Sequence, residues 1–388
     1  MGKEIAYAIV TPYTIRKSRT GSVIARLLGQ ANLELVATQM IASTQAMAER
    51  FAESIQKGGD QEDEFYRSLI RDYILQNLAP DPETGKRQRM MMLVFRGENA
   101  HEELFRIIGR LRISCQQGET IRHAFGDLVY NPDGSVRYFE PAIIMSDRPE
   151  DLDLWAELLE DQSPMLEGIC HYEDPHNIQQ TLVMIKPDSW RLRSARPGAI
   201  LGMFSRTGLR IIGCKVNRMS VAQSLEFYGP VKEALCKRLA PVIGVRAHEI
   251  LENKLGFKLN DDVDEALCEA VGKPYAYDQF ERIIEFMSGR RPSECPEDKL
   301  EVPGTNPSLA LVYEGPNAVE KIRNVLGPTD PTKAPDGTVR REFGSNVMVN
   351  TAHASDSPEN AQREIGIVRM HESDIKPVNE MLKEEHGL

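Results

Sequence analysis

An α+β fold, built twice along 388 residues, is what the order of apolar segments predicts, and three observations carry that expectation. Short runs rich in β-branched and apolar residues alternate with longer amphipathic runs, the signature of strands and helices in turn. The stretch Leu93-Val-Phe-Arg-Gly-Glu-Asn-Ala-His-Glu102 returns as Leu311-Val-Tyr-Glu-Gly-Pro-Asn-Ala-Val-Glu320, an internal repeat offset by 218 (311 minus 93). The same offset carries Gly109 to Gly327 and Thr120-Ile121-Arg122 to Thr338-Val339-Arg340, while upstream Ala6–Tyr13 lies against Leu182–Asp188 and Gly21 against Gly198. Each copy reads strand, helix, strand, helix pair, strand, helix, strand, helix. That order predicts two ferredoxin-like βαββαβ sandwiches in tandem, with helices on one face of an antiparallel sheet.

In the second copy the strands fall at about 180–186, 209–219, 308–314 and 342–349, and the helices at 198–207, 220–228, 278–288, 316–325 and 358–365. The last helix has a marked start, since Ser357 suits the N-cap and Pro358 the first turn, where its missing N–H costs nothing. Residues 1–150 then form one domain, 151–179 a helix (LDLWAELLE) with a polar connector, and 180–388 a second domain. Two interruptions break the symmetry: 229–275, a mostly helical insertion, and 127–139, a hairpin lengthened around Asn131-Pro132-Asp133-Gly134. The segment DPETGKRQR, 81–89, reads as solvated charged surface.

Composition narrows the function classes. At 41% apolar and 27% charged residues, either half can bury a core, and no apolar run is long enough to span a bilayer. The opening Met-Gly-Lys-Glu lacks the basic and apolar blocks of a secretory signal, and Ala6 stands where a myristoylation signal wants a hydroxyl residue. A net charge of -11 argues against nucleic-acid coating, which needs a positive field to displace counterions. The six cysteines are scattered without a CxxC pair or zinc-ligand spacing, as expected of reduced thiols in a cytoplasmic protein.

The chemistry gathers in the second half, around Asn350-Thr351-Ala352-His353-Ala354-Ser355-Asp356-Ser357. A histidine that attacks phosphorus needs one nitrogen unprotonated, a partner for the other, and cations or N–H donors around the phosphate. Lys186 ends the first strand, Arg323 lies in the helix after Gly315, Thr329 sits in the next loop, and Arg340 opens the last strand ahead of Asn350 and His353. Glu364, on the following helix, can fold back over the strand end.

These residues resemble those of nucleoside diphosphate kinases, whose signature is an asparagine, two residues, the nucleophilic histidine, a small residue and Ser-Asp; the likeness covers about 180–228 and 277–368. The resemblance implies that Lys186, Arg323, Thr329 and Arg340 grip phosphate, Tyr228 lies beside it, and Asn350 reaches the sugar hydroxyl. By the same likeness His353 becomes phosphorylated, Ser355 is its neighbouring serine, and Glu364 orients the ring. It further implies a ping-pong exchange between nucleoside triphosphates and diphosphates, with Mg2+ brought on the nucleotide, weak base specificity, and no nucleic-acid or membrane partner. Ala354 and Ser189 replace glycines usual in the family. The insertion displaces a further phosphate arginine and the base-stacking aromatic, for which Lys273 and Tyr277 or Phe280 are the nearest candidates.

Applied to the first half, the same comparison removes the chemistry: Thr11 stands for Lys186, Phe51 for Tyr228, Phe105 for Arg323, Leu111 for Thr329, Ala142 for Asn350 and Met145 for His353, and Arg122 alone keeps its counterpart, Arg340. The expectation is an inert copy with an apolar, filled pocket. Because the family forms dimers that stack further, the chain is expected to build a pseudo-dimer within itself and to homo-oligomerise. The alternative function is a nucleotide-binding scaffold or regulator with little turnover.

Overall fold

This computed structural model describes residues 4–55, 61–110, 119–145, 151–159, 162–260 and 262–386. The chain divides into two compact units, Met1–Val216 with Leu309–Leu388, and Asn217–Ser308. In chain order the first half contains β1 (Glu4–Val10), α1 (Pro12–Arg16), α2 (Thr20–Gln30), β2 (Glu34–Ala42), α3 (Gln45–Ser54), α4 (Gln61–Asn77), β3 (Arg89–Gly97), α5 (Ala100–Ile108), α6 (Ile121–Phe125), β4 (Asp127–Tyr130), β5 (Val136–Glu140), β6 (Ile143–Met145) and α7 (Asp151–Leu158). The second half contains β7 (Ile178–Ile185), α8 (Arg196–Phe204), β8 (Arg210–Asn217), α9 (Val221–Leu255), α10 (Val263–Leu267), α11 (Lys273–Ser288), β9 (Ser308–Pro316), α12 (Ala318–Leu326), α13 (Val339–Phe343), β10 (Ala352–Ala354), α14 (Pro358–Ile367) and α15 (Ile375–His386).

The strands form two four-stranded sheets of one topology, β2-β3-β1-β6 and β10-β7-β9-β8, beside the β4–β5 hairpin expected around Asn131–Gly134. In each sheet the first strand is central and pairs antiparallel with the third and fourth. Every residue of β1 after Glu4 is buried, so neither face of that strand meets water. Ile5, Tyr7 and Ile9 share a core with Met47 and Phe51 of α3, Tyr73 and Ile74 of α4, Trp155 of α7 and Ile375 of α15, while α5 packs on β1 as well. Helices therefore cover more of the first sheet than a one-faced sandwich predicts, because the strand is apolar along its whole length rather than at alternate positions. The helix of the expected connector, α7, belongs to this first core through Trp155, whose ring lies 4.9 Å from that of Phe51.

The two halves meet through matching elements. A side chain on Gly21 of α2 would collide with Gly202 and Gly198 of α8, and one on Gly198 with Ala25 and Gly21. Gly21 corresponds to Gly198, and Ala25 to Gly202, so the same contact is made twice with the partners exchanged, the pattern of a two-fold axis. At the sheet edges Thr38 Oγ1 of β2 lies 3.2 Å from Cys214 Sγ of β8, and Arg89 Nη1 donates to Ile211 O at 2.6 Å.

One expected element is corrected. Residues 342–349 form no strand: Val339–Phe343 are helical, and the strand that pairs with β7 is only Ala352–Ala354. Asn346 causes the break, since its side chain accepts Met348 N and Val349 N, both at 2.9 Å, and closes a turn where a ladder was expected.

In the other unit, α9 starts in a capping box between Ser220 and Gln223 and runs 35 residues through Pro230 and Pro241 to the left-handed Gly256. The expected helix at 220–228 continues into the segment read as an insertion, and a π-helical turn at Cys268–Gly272 leads into α11.

Candidate active site

Strand β7 delivers Lys186 at its end, in the extended conformation that a residue before proline favours. Lys186 N donates to Thr351 O at 2.8 Å, and Nζ donates to Asn350 Oδ1 at 2.8 Å. The ammonium group is almost fully enclosed. That burial, with Arg340 nearby, pushes its pKa down to about 8, against the opposing pull of Asp188.

Asn350 is fixed from its other end, its Nδ2 donating to Thr329 O at 3.2 Å and Val347 O at 2.9 Å. Arg340 bridges the end of α12 and the start of β10, Nη1 donating to Gly327 O at 2.9 Å and Nη2 to Ala352 O at 3.0 Å. It does so from helix α13 and not from a strand as the sequence implied. Between Asn350 and β10, Thr351 adopts a φ of 77°, a left-handed conformation that a β-branched residue holds only under constraint.

His353 sits in β10 opposite Met184, with Nε2 2.9 Å from Glu364 Oε2. A carboxylate oxygen accepts, so Nε2 carries the hydrogen, and this tautomer leaves the lone pair on Nδ1. Ser355 Oγ donates to the same oxygen at 2.6 Å while accepting Leu182 N at 3.3 Å, which ties the carboxylate to β7. Helix α14 holds Glu364 in place; Ser357 caps it by accepting Asn360 N at 3.1 Å, with Pro358 in the first turn as expected. The Glu364 side chain is 6% exposed and the imidazole 22%, so the ring can be approached while its partner stays enclosed.

Hydrogen bonds thus join Lys186 with Asn350 and the Thr329 backbone, and His353 with Glu364 and Ser355, while Arg340 holds the carbonyl next to His353. Arg323 stands apart from these bonds, exposed on α12, and the Thr329 side chain is exposed as well. Tyr228 is on α9 in the other unit, buried with its ring 5.0 Å from that of Phe227. Of the nearest candidates for the displaced groups, Lys273 is ion-paired with Glu269, and Lys232 lies 5.0 Å from the Tyr277 ring centre and 5.8 Å from that of Phe280.

Sequence reasoning missed Arg196 and Asp188. Arg196 Nη2 donates to Asp188 Oδ2 at 2.9 Å, Phe343 O at 2.7 Å and Thr351 Oγ1 at 3.1 Å. The available signal was an aspartate following Lys186-Pro187 and an arginine opening the next helix.

The first half keeps the frame and changes its contents. Arg122 donates to Gly109 O at 2.6 Å and Ile143 O at 3.5 Å, repeating the bonds of Arg340, as its expected equivalence requires. The register differs from expectation by one residue. Ile144 pairs with Ile9 as His353 pairs with Met184, so Ile144 is the counterpart of the histidine, Met145 matches Ala354, and Ala142, with φ 61°, matches Thr351. Counted from the helix caps Thr44 and Ser220, Phe51 lines up with Phe227. Leu111 lies outside the described residues.

The place of the cradle is also more polar than anticipated: Glu140 accepts Thr11 Oγ1 at 2.8 Å, Ala142 N at 2.9 Å and Tyr73 OH at 2.7 Å. Burial raises the Glu140 pKa, and the bonds from Tyr73 and Thr11 oppose that rise.

Fold and site together define a ferredoxin-like α+β protein in which a histidine–carboxylate pair stands among lysine, arginine and asparagine side chains. A family model described as nucleoside diphosphate kinase matches residues 280–373. The chain is 30% identical over 192 residues to the nucleoside diphosphate kinase of Staphylothermus marinus, covering 50% of this chain and 93% of that protein. It is 27% identical over 190 residues to that of Dehalococcoides mccartyi, covering 49% and 91%. A solved structure of the Aquifex aeolicus nucleoside diphosphate kinase aligns at 25% identity over 49% of this chain and 94% of that one, with a TM-score of 0.31. The chain belongs to the nucleoside diphosphate kinase family.

Proposed function

We propose that this chain is a nucleoside diphosphate kinase that passes a phosphoryl group from a nucleoside triphosphate to a nucleoside diphosphate through His353. The observation that carries the reading is the Nε2–Glu364 hydrogen bond, which selects the tautomer needed for attack by Nδ1. The Nδ1 lone pair forms a bond to the γ-phosphorus as the bond to the β–γ bridging oxygen breaks, and the diphosphate leaves with that electron pair. The positive charge arising on the ring is spread toward Nε2 and its carboxylate partner. A second diphosphate then attacks the same phosphorus through a terminal oxygen and restores the histidine.

Lys186 and Arg340 supply cationic charge beside the transferring group, with Arg323 and Thr329 as further phosphate contacts and Asn350 toward the sugar. Magnesium arrives with the triphosphate as part of the substrate. Among the described residues no three histidine, cysteine, aspartate or glutamate side chains gather as a metal cage.

Residues 1–150 act as a degenerate copy, 151–179 as a helix and connector, and 180–388 as the catalytic copy with its insertion at 229–275. The α2–α8 contact makes the pair a pseudo-dimer from which larger assemblies grow. A cytoplasmic setting is supported by the free thiols of Cys170, Cys214, Cys236, Cys268 and Cys295; no helix among the described residues is long and apolar enough to cross a membrane.

Incubation with γ-labelled ATP tests the reading. The expected result is an acid-labile label on the protein that CDP or GDP discharges and that His353→Ala lacks. Nucleotide binding without labelling would instead identify a scaffold, and equal turnover by His353→Ala would end the proposal.

A further inference from the structure

Arg196 opens α8, and its guanidinium reaches three separate pieces of the site: the Asp188 carboxylate, the Phe343 carbonyl at the end of α13, and the Thr351 hydroxyl. The first half contains its counterpart, Arg19, immediately before α2, four residues ahead of Val23 as Arg196 is four ahead of Ile200. Arg19 Nη1 donates to Phe125 O at 3.2 Å, and Phe125 corresponds to Phe343 by the offset of the repeat. The carbonyl bond is therefore common to both halves and belongs to the frame.

The other two bonds have no equivalent there. Tyr13 replaces Asp188 and Ala142 replaces Thr351, so Arg19 has neither the carboxylate nor the hydroxyl to hold. Contacts present only in the half that carries the histidine are the ones to assign to its chemistry.

What they hold is the side chain of Thr351; its left-handed backbone belongs to the frame, since Ala142 keeps a φ of 61° with no such bond. Thr351 keeps a φ of 77° while its carbonyl receives Lys186 N at 2.8 Å, and it stands directly between Asn350, which holds Lys186 Nζ, and the β10 strand carrying His353. The hydroxyl grip acts on the residue that joins the two parts of the site, Asn350 with Lys186 on one side and His353 with Glu364 on the other. The brace is an enclosed one, the Asp188 side chain being 3% exposed against 27% for Arg196.

We propose that Arg196 is a positioning residue for phosphoryl transfer, using Asp188 as its brace and the Thr351 hydroxyl as its grip, so that His353 and Asn350 are set against Lys186. The inference rests on the function proposed above for the same site.

Single-turnover phosphorylation of the full chain by γ-labelled ATP, with nucleotide affinity measured in parallel, tests it on Arg196→Met, Arg196→Lys, Thr351→Val and, as a control in the other half, Arg19→Met. Arg196→Met and Thr351→Val are each expected to slow labelling at saturating nucleotide by at least about tenfold, since small misplacements of reacting groups are costly, while affinity changes less than about threefold. The double variant is expected to be no slower than the worse single one, because both remove one contact. Arg196→Lys is expected to recover part of the rate, and Arg19→Met to label at the wild-type rate.

Folded Arg196→Met or Thr351→Val labelling at the wild-type rate would overturn the proposal, as would a loss confined to affinity or an equal loss in Arg19→Met. Thr351→Val, which keeps the branched side chain and removes only the hydroxyl, decides the matter should Arg196→Met fail to fold. A wild-type chain that takes no label would refute the functional reading itself, and this inference with it.

Discussion

Arg122 and Arg340, one in each half, make the same pair of bonds: each guanidinium ties the carbonyl of a left-handed glycine, Gly109 or Gly327, to the carbonyl of the first residue of the fourth strand, Ile143 or Ala352. Because the bonds persist in the half that has isoleucine where the other has its histidine, they serve the fold before any chemistry. Arg122→Met is expected to destabilise the chain by about 2 kcal/mol, the loss of charged hydrogen bonds to buried carbonyls, with the specific rate of His353 labelling unchanged. Chemical denaturation beside a labelling assay measures both; a stable variant would show that the clamp is dispensable.

Glu364 is expected to act on rate more than on affinity. Glu364→Gln can turn its amide toward Nε2 and favour the tautomer with the hydrogen on Nδ1, so phosphorylation of His353 should fall by roughly 10²-fold or more while nucleotide binding stays near wild type. Rapid-quench labelling across nucleotide concentrations separates the two, and an unchanged maximal rate would remove Glu364 from the mechanism.

Lys186 gives a pH signature whose sign follows from its lowered pKa of about 8. The empty native chain releases this proton near pH 8, whereas the unfolded chain keeps it until about 10.4. Between those values the unfolded state binds more protons, so the Lys186 contribution to stability rises with pH across that window. Nucleotide affinity should move the opposite way, weakening as pH passes through 8, because the ammonium that meets the phosphate is being lost. Lys186→Met should lack the stability rise, and Lys186→Arg, which stays protonated, should lack the affinity fall; calorimetric titrations from pH 7 to 10 with the same dependence in all three proteins would contradict the assignment.

Two glycines on α8 should respond in opposite directions. A methyl group on Gly198 runs into the α2 backbone, and Gly198→Ala should destabilise by about 1–3 kcal/mol, while one on Gly202 meets nothing. Gly202→Ala should therefore stabilise by up to about 1 kcal/mol through helix propensity alone. Thermal melts of both variants distinguish these outcomes, and equal shifts would mean the helices do not cross where described.

Much of the site was legible in the sequence because its groups lie at strand ends and helix starts, where local pattern is strong. Lys186 follows a continuous apolar run and precedes proline, and Glu364 lies on a helix announced by Ser357-Pro358. The backbone between Arg340 and His353 was less legible. Nothing local distinguishes a strand from a short helix and an Asn346 turn in that segment, and the outcome is set by which residues can pair with β7.

From its residues alone the chain indicated that one plan recurs along its length, and its resemblance to a known family, rather than periodicity, pointed to His353 and Glu364 together and to chemical groups kept in one copy. Tertiary structure decided the one-residue register that makes Ile144 rather than Met145 the counterpart of His353, the carboxylate of Glu140 seated on Thr11 and Tyr73, and the grip of Arg196 on Thr351. Those are settled by pairing and burial between segments distant along the chain, where one step of register turns a side chain to the opposite face of the sheet.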